Sequence, residues 1–430
     1  MKKSFILLLA GLALAAVSCD KSQYGRIDQM PDLPQPSPVS VSLRRAISGG
    51  AVLDVKIPDD DLIKGVVAVY KRNGKEVKAK VSRFVDSLTV EGFADTESHE
   101  VTVYSFNANE RLSSPVSITI TPLAPAIKTV TPTIFESFGG VKIHIEGNVD
   151  KEDLAVCLLR CADLSDSTKS VKDIKWVEVT TLFTESDNIN LVRRGLEPEK
   201  AIFGAYLRDR WGNISDTTKI VLTPILEEKI DKSKFKNAAL KDDNCFQQTN
   251  NNYPIVGLWD DSGQSSVGHF FASQDGPIPG WLTIDLGQVV QISRIQTLPR
   301  IGYTIWQNAH PRDFEFWGSM DPTGEEKEEN EHKFDDSWFC LGKFTQFKPS
   351  GYNADGSTGT ITTEDNTYFN AGNDFELDPD AYPRCYDELR YLRVVFANTF
   401  ATFEYGSNWG SVQFGEVTPW GQNESSRKKQ

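Results

Sequence analysis

Beyond residue 18 this 430-residue chain has no apolar run long enough to cross a bilayer. It has no C-x-x-C pair, which removes the common zinc frameworks. A G-x-S-x-G elbow, an H-E-x-x-H helix, a P-loop and a dinucleotide glycine motif are all missing, and with them the usual hydrolase, metalloprotease and nucleotide-dependent chemistries. The histidines, His99, His144, His269, His310 and His332, are scattered. Carboxylates are plentiful, but no spacing singles out the acid pair of a glycosidase. The net charge is −14, and a nucleic-acid partner is disfavoured because binding phosphate needs a basic face. One of the six cysteines is assigned below to lipid, so the rest cannot all pair. Cys157 and Cys161 share a strand face but lie too far apart to bond within it, and read as small core residues. Cys340 and Cys385 could pair, which sequence does not decide.

What the chain has in quantity is β-strand. Residues 281–300, WLTIDLGQVVQISRIQTLPR, organise the C-terminal part. Leu282, Ile284 and Leu286 alternate with polar positions, the period of a half-buried strand. Asp285 and Gly287 favour a turn, since Asp can bond its own backbone and Gly tolerates positive φ. Val290 and Ile292 continue in phase. Ile295 does not, which predicts a bulge or a change of sheet before it.

The W-x-x-I-D-L-G run, with its following strand and Pro299-Arg300, resembles the discoidin domains, also called coagulation-factor five/eight type C domains. Asp260-Asp261 after Leu258-Trp259 is similar to that family's aspartate turn. Residues 311–322, PRDFEFWGSMDP, resemble its strand ending in Ser-x-Asp, and residues 414–421, FGEVTPWG, its last strand with a single glutamate. The resemblance covers residues 236–421. It implies an eight-stranded jelly roll, itself non-catalytic, whose loops at one end bind ligands, often sugars.

The chain starts with Met1-Lys2-Lys3 and an apolar run over 5–17, too short to span a bilayer and typical of a cleaved export signal. Ala16-Val17-Ser18-Cys19 resembles a bacterial lipobox, with alanine where leucine is usual, and implies acylation of Cys19. Residues 20–38, with Pro31, Pro34, Pro36 and Pro38, read as an extended tether. From 39 to 122 short strand-like runs alternate with Gly, Asn, Asp and Ser clusters, which argues a sandwich. A similar unit follows: residues 101–122 align without a gap on 203–224, bringing Tyr104 onto Tyr206 and Ser113 onto Ser215. A repeat at this scale means two copies of one domain. The tyrosine, turn and closing strand resemble fibronectin type III and related immunoglobulin-like modules, and both tyrosines are expected to pack rather than bind.

A sugar ring asks for a flat aromatic to stack on and forked polar groups to orient its hydroxyls. Residues 301–310 place Tyr303, Trp306, Asn308 and His310 in one loop flanked by Arg300 and Arg312. Trp306 either stacks on a glycan or folds back to cap the β domain; sequence leaves both open. Residues 398–409 offer Tyr405, Asn408 and Trp409, and Trp259 is a candidate for the rim. The discoidin resemblance also implies one structural Ca2+, with Asp260 and Glu416 at the matching positions. Glu416 shares strand parity with apolar Val412 and Phe414, so its carboxylate needs a partner, a cation or an arginine. Residues 325–331 read as a solvated hairpin tip, and 353–380 as an unusually long polar loop.

The expected fold class is all-β: two immunoglobulin-like β-sandwiches followed by a discoidin-like jelly-roll β-sandwich. The expected parts are a lipoprotein signal peptide (1–18), a tether (19–38), a fibronectin/immunoglobulin-like domain (39–122), a second immunoglobulin-like domain (123–225) and a discoidin-like carbohydrate-binding domain (236–421). The whole resembles Bacteroidetes surface lipoproteins found beside starch-utilisation-type glycan importers. That implies a non-catalytic protein held at the outer membrane by its lipid anchor, facing the cell surface or the periplasm. Its partners would be a polysaccharide or oligosaccharide and a glycan transporter complex. A structural or adhesion lipoprotein contacting protein or peptidoglycan is the alternative, and a glycan-processing enzyme the third.

Overall fold

The structure is a computed structural model that describes residues 32–250, 252–262, 268–300 and 306–427. The signal and lipidation segment, Cys19 included, and Tyr303 lie outside the described residues. No helix among the described residues is long and apolar enough to cross a membrane.

The chain is nearly all β, and its apolar residues gather into three main cores. The first sandwich sets Ser40–Ile47, Gly50–Lys56 and Ser87–Glu91 in one sheet against Lys75–Ser82, Gly65–Arg72, His99–Phe106 and Val116–Ile120 in the other. The second repeats this plan, with Thr133–Ser137, Gly140–Glu146 and Asn188–Arg194 against Val177–Thr184, Leu154–Cys161, Ala201–Asp209 and Thr218–Leu222. Strand alternation explains the two cores. Ala51, Leu53 and Val55 of Gly50–Lys56 are buried, and Val141, Ile143 and Ile145 of Gly140–Glu146 repeat the pattern. Cys157 and Cys161 are buried, and all five described cysteines are free thiols.

The internal repeat has a physical cause. Ser113 Oγ accepts from the Ser105 N–H at 3.0 Å and donates to the Ser114 carbonyl at 2.9 Å. Ser215 makes the same pair of bonds with Leu207 and Asp216, both at 2.8 Å. The hydroxyl thus satisfies a buried N–H where the ladder stops at a turn. Each sandwich is also tied to the segment that leaves it. Leu123 exchanges backbone bonds with Ile47 and Gly49, and Ile225 does so with Ser137 and Gly139.

In the C-terminal unit the main sheet runs Glu228–Lys229, Glu416–Asn423, Gly280–Leu298, Leu389–Thr399, Pro311–Ser319, Phe339–Thr345, with Lys236–Asn237 and Asn373–Glu376 also paired to Gly280–Leu298. Leu282, Ile284, Leu286, Val290, Ile292 and Ile295 all lie in its core. The expected turn at Asp285–Gly287 is instead a kink inside one continuous strand. Gly287 takes φ +63 with its N–H on Asp285 Oδ1 at 2.9 Å, and the partner strand changes register there. The phase break before Ile295 is a register shift between Ile292 and Arg294. The polar stretch 353–380 is not simply a loop. It contains the helix Thr363–Ala371, started by a reciprocal Thr362–Asp365 capping box.

Candidate functional site

The helix Phe400–Tyr405 starts on another reciprocal cap. Thr399 Oγ1 accepts from the Thr402 N–H at 3.1 Å, and Thr402 Oγ1 accepts from the Thr399 N–H at 2.8 Å. The helix stops at Gly406, which takes the left-handed conformation that terminates helices readily. Phe400 and Thr402 face inward, so Tyr405 at the other end of the short helix points out, 76% exposed. The chain then turns on Ser407, whose hydroxyl accepts from the Trp409 N–H at 3.1 Å and donates to the Trp409 carbonyl at 2.9 Å. Trp409–Gly410 pairs with Gly276–Pro277, which holds the indole at the rim, 60% exposed. A third segment closes the floor: the Asn308 carbonyl accepts from the Ala401 N–H at 2.9 Å, and the Ala309 carbonyl from the Gln413 N–H at 2.8 Å.

These segments enclose a cleft of about 590 Å³ lined by Tyr405, Trp409, Asn308, Asp275, Ser407 and Gln413, among others. Its lining combines two exposed aromatic rings with amide, hydroxyl and carboxylate groups, the combination that stacks on a ring and reads its hydroxyls. Of the expected ligand residues, Asn308, Tyr405 and Trp409 meet here. Asn408 adjoins the cleft, with its carbonyl occupied by the Ile278 N–H at 2.8 Å.

The other expected residues turn inward. Trp306 is 1% exposed, stacked on Phe369 at 4.6 Å and set edge-on to Phe400 at 5.8 Å. It caps the domain rather than presenting a platform, because the helix Thr363–Ala371 supplies a second aromatic layer over it. His310 is buried edge-on to the same Phe369. Arg312 is buried between Phe403 and Tyr352 and paired with Asp313. Trp259 is buried against Phe235. Arg300 lies over the Phe270 ring and donates to Gln413 at 2.5 Å, supporting the cleft from outside its lining. Asp275, Ser407 and Gln413 carry no motif. They come from turns and from the two-residue strand Gln413–Phe414, too short for a side-chain period to show.

The calcium expectation does not fit these residues. Glu416 is buried and does have a cation, but it is the ammonium of Lys232, itself 3% exposed, at 2.5 Å. The same ammonium lies 2.9 Å from Asp261, whose N–H donates to Glu416 at 2.9 Å. Asp260 turns elsewhere, to His269 at 2.8 Å and the Ser262 N–H at 2.9 Å. The two expected ligands therefore serve different partners, and a divalent ion at Glu416 would meet a fixed positive charge. Burial pushes the Glu416 carboxyl up, with Lys232 pulling against it. Burial also opposes ionisation of Asp261, but Lys229 and Lys232 overcome it and hold that carboxyl at about 2.

Two other constellations are weaker candidates. Glu315, Glu331 and His332 bring ligand atoms within 4.8 Å of one another, but Lys343 pairs with both carboxylates and closes the group as an ion-pair network. The cleft beside Phe183 in the second sandwich, about 530 Å³, is rimmed by Asp153, Glu185, Arg208 and Arg210. It has a single aromatic, Phe183, and no second ring facing it among its lining residues.

Residues 36–122 match the family model DUF4959, residues 123–233 match DUF5126 and residues 259–421 match DUF5000, each described as a domain of unknown function. Among solved structures the chain is similar to SusE-like protein BT2857, at 25% identity over 70% of this chain and 100% of that one, with a TM-score of 0.41. It is also similar to CBM32-3 from a family 31 glycoside hydrolase of Clostridium perfringens, at 15% identity over 45% of this chain and 95% of that one, TM-score 0.30. The family 32 CBM from C. perfringens NanJ, in complex with galactose, matches at 11% identity over 45% of this chain and 98% of that one, TM-score 0.28. No curated protein matches the chain.

Proposed function

We propose that this is a non-catalytic glycan-binding protein of the cell envelope whose ligand sits in the Tyr405–Trp409 cleft. The observation that carries the reading is the pair of exposed aromatics, Tyr405 and Trp409, in one cleft with Asn308, Gln413 and Ser407. Among the described residues Asp275 is the one carboxylate lining the cleft. Glycoside hydrolysis in its usual form needs two, so the cleft holds a sugar without the pair that would cleave it. Stacking contributes on the order of 1 kcal/mol beyond plain area burial. Trp409→Ala loses the covered apolar area as well as the stacking, at roughly 25 cal/mol per Å², and should weaken binding about tenfold, since roughly 1.4 kcal/mol is a factor of ten. Stability should stay within about 0.5 kcal/mol of the parent, as for other surface substitutions. Calorimetry against a polysaccharide panel, with thermal unfolding alongside, measures both. Undiminished affinity in Trp409→Ala would remove the cleft from the reading.

The lipobox-like Ala16–Cys19 run supports anchoring through an acylated Cys19, and with it outer-membrane placement beside a glycan transporter. Cys19→Ala should move the protein from the membrane pellet to the soluble fraction or leave it unprocessed. A mutant still processed and still sedimenting with membranes would defeat the anchor.

A further inference from the structure

The cleft does not end at Trp409. A second, smaller cavity of about 210 Å³ is walled by the same Trp409, Gly410 and Asp275. It has its own aromatic, Phe246, 59% exposed, and its own amides, Asn244 and Gln274. The larger cavity falls within the roughly 300–1,000 Å³ usual for a ligand site, and the smaller falls below it. The smaller one therefore makes sense as an extension of the larger. Tyr405, Trp409 and Phe246 then form a series of exposed rings with Trp409 common to both cavities.

Charge narrows the ligand further. Among the described residues lining the two cavities Asp275 is the one charged side chain, and no lysine or arginine is among them. The internal residues outside the described ones, Asn251, 263–267 and 301–305, include no charged residue either. Arg300 is turned to Gln413 and Phe270. An anionic sugar would lose hydration without gaining a charge-assisted bond, and would face the Asp275 carboxylate.

Resting on the glycan reading above, we infer that the ligand is an uncharged oligosaccharide segment that crosses Trp409 and occupies both cavities, rather than a single terminal or acidic sugar. The full-length protein can be run in affinity gels containing neutral polysaccharides (a mixed-linkage β-glucan, a galactomannan, an arabinoxylan) or anionic ones (polygalacturonate, chondroitin sulfate). Retardation is expected on a neutral gel and none on the anionic gels. Oligosaccharides cut from the retarding polysaccharide then provide a length series for calorimetry. Phe246→Ala should weaken the longer members about three- to tenfold, the loss expected for one stacking platform. The loss should fade for fragments too short to cross Trp409, whereas Trp409→Ala should weaken every length. Retardation on the anionic gels alone, or equal affinity of parent and Phe246→Ala at all lengths while Trp409→Ala fails, would overturn the inference and leave the glycan reading standing. No retardation on any gel would count against the glycan reading itself, and the inference falls with it.

Discussion

Trp306→Ala should destabilise the C-terminal unit by about 3–5 kcal/mol, the usual cost of truncating a large aromatic in a packed core. Its indole is 1% exposed, and Phe369, Phe400 and Tyr352 surround it. The residue also sits at φ +63, a conformation bulky side chains rarely adopt, so packing and backbone must hold it there together. Urea unfolding of the full chain is the measurement, with the C-terminal transition followed separately because a three-core chain need not unfold in one step. The loss should appear as an earlier midpoint of that transition. A change within about 0.5 kcal/mol would place the ring at the surface and restore it as a sugar platform. Glycan affinity should fall as well, but with the folded fraction, because Phe400 beneath Trp306 begins the helix that carries Tyr405. Trp409→Ala separates the two effects, since it should weaken binding while leaving the melt in place.

The all-β class was legible because strand period is local. Leu282, Ile284 and Leu286 announce a buried face within five residues, and the misfit of Ile295 announces the bulge before it. The serine repeat was legible for a similar reason: one hydroxyl ends the ladder in each sandwich. Which aromatics face solvent was not legible. A ring that packs and a ring that stacks on sugar obey the same preference for flat apolar contact. What buries Trp306 is Phe369, from a helix 63 residues later in a stretch with few apolar residues. The cleft likewise assembles Asp275, Asn308 and Trp409 from three separated segments, and no pairwise spacing encodes that. Arg393 was also invisible. It is fully buried within a strand, bonded twice to Asp242 at 2.8 Å and stacked on Phe334 and Trp338, although arginine in a strand ordinarily reads as a solvent-facing position.

The same non-locality explains Lys232, which reaches Glu416 from the first turn of the C-terminal unit, 184 residues away, and it leads to the second large effect. Lys232→Ala should destabilise the C-terminal unit by about 3–5 kcal/mol, because removing one partner leaves a buried charge uncompensated. Glu416 is 3% exposed and, among the described residues, would then keep the Asp261 N–H as its remaining bond. The variant carries its own signature in pH. A carboxyl whose folded pKa is raised is penalised as pH climbs above its unfolded value of about 4.3. The loss should therefore be largest near neutrality and shrink on acidification toward that value. Glu416→Gln in the Lys232→Ala background should recover much of it, and the double-mutant cycle should show coupling between the two positions. Because the ammonium already neutralises the site, the parent should melt at the same temperature in chelator and in added Ca2+. A ligand that binds only the folded state must raise that temperature with its concentration. A calcium-dependent rise in the parent would mean that Lys232 yields the site to the metal, and the internal-cation account would fail.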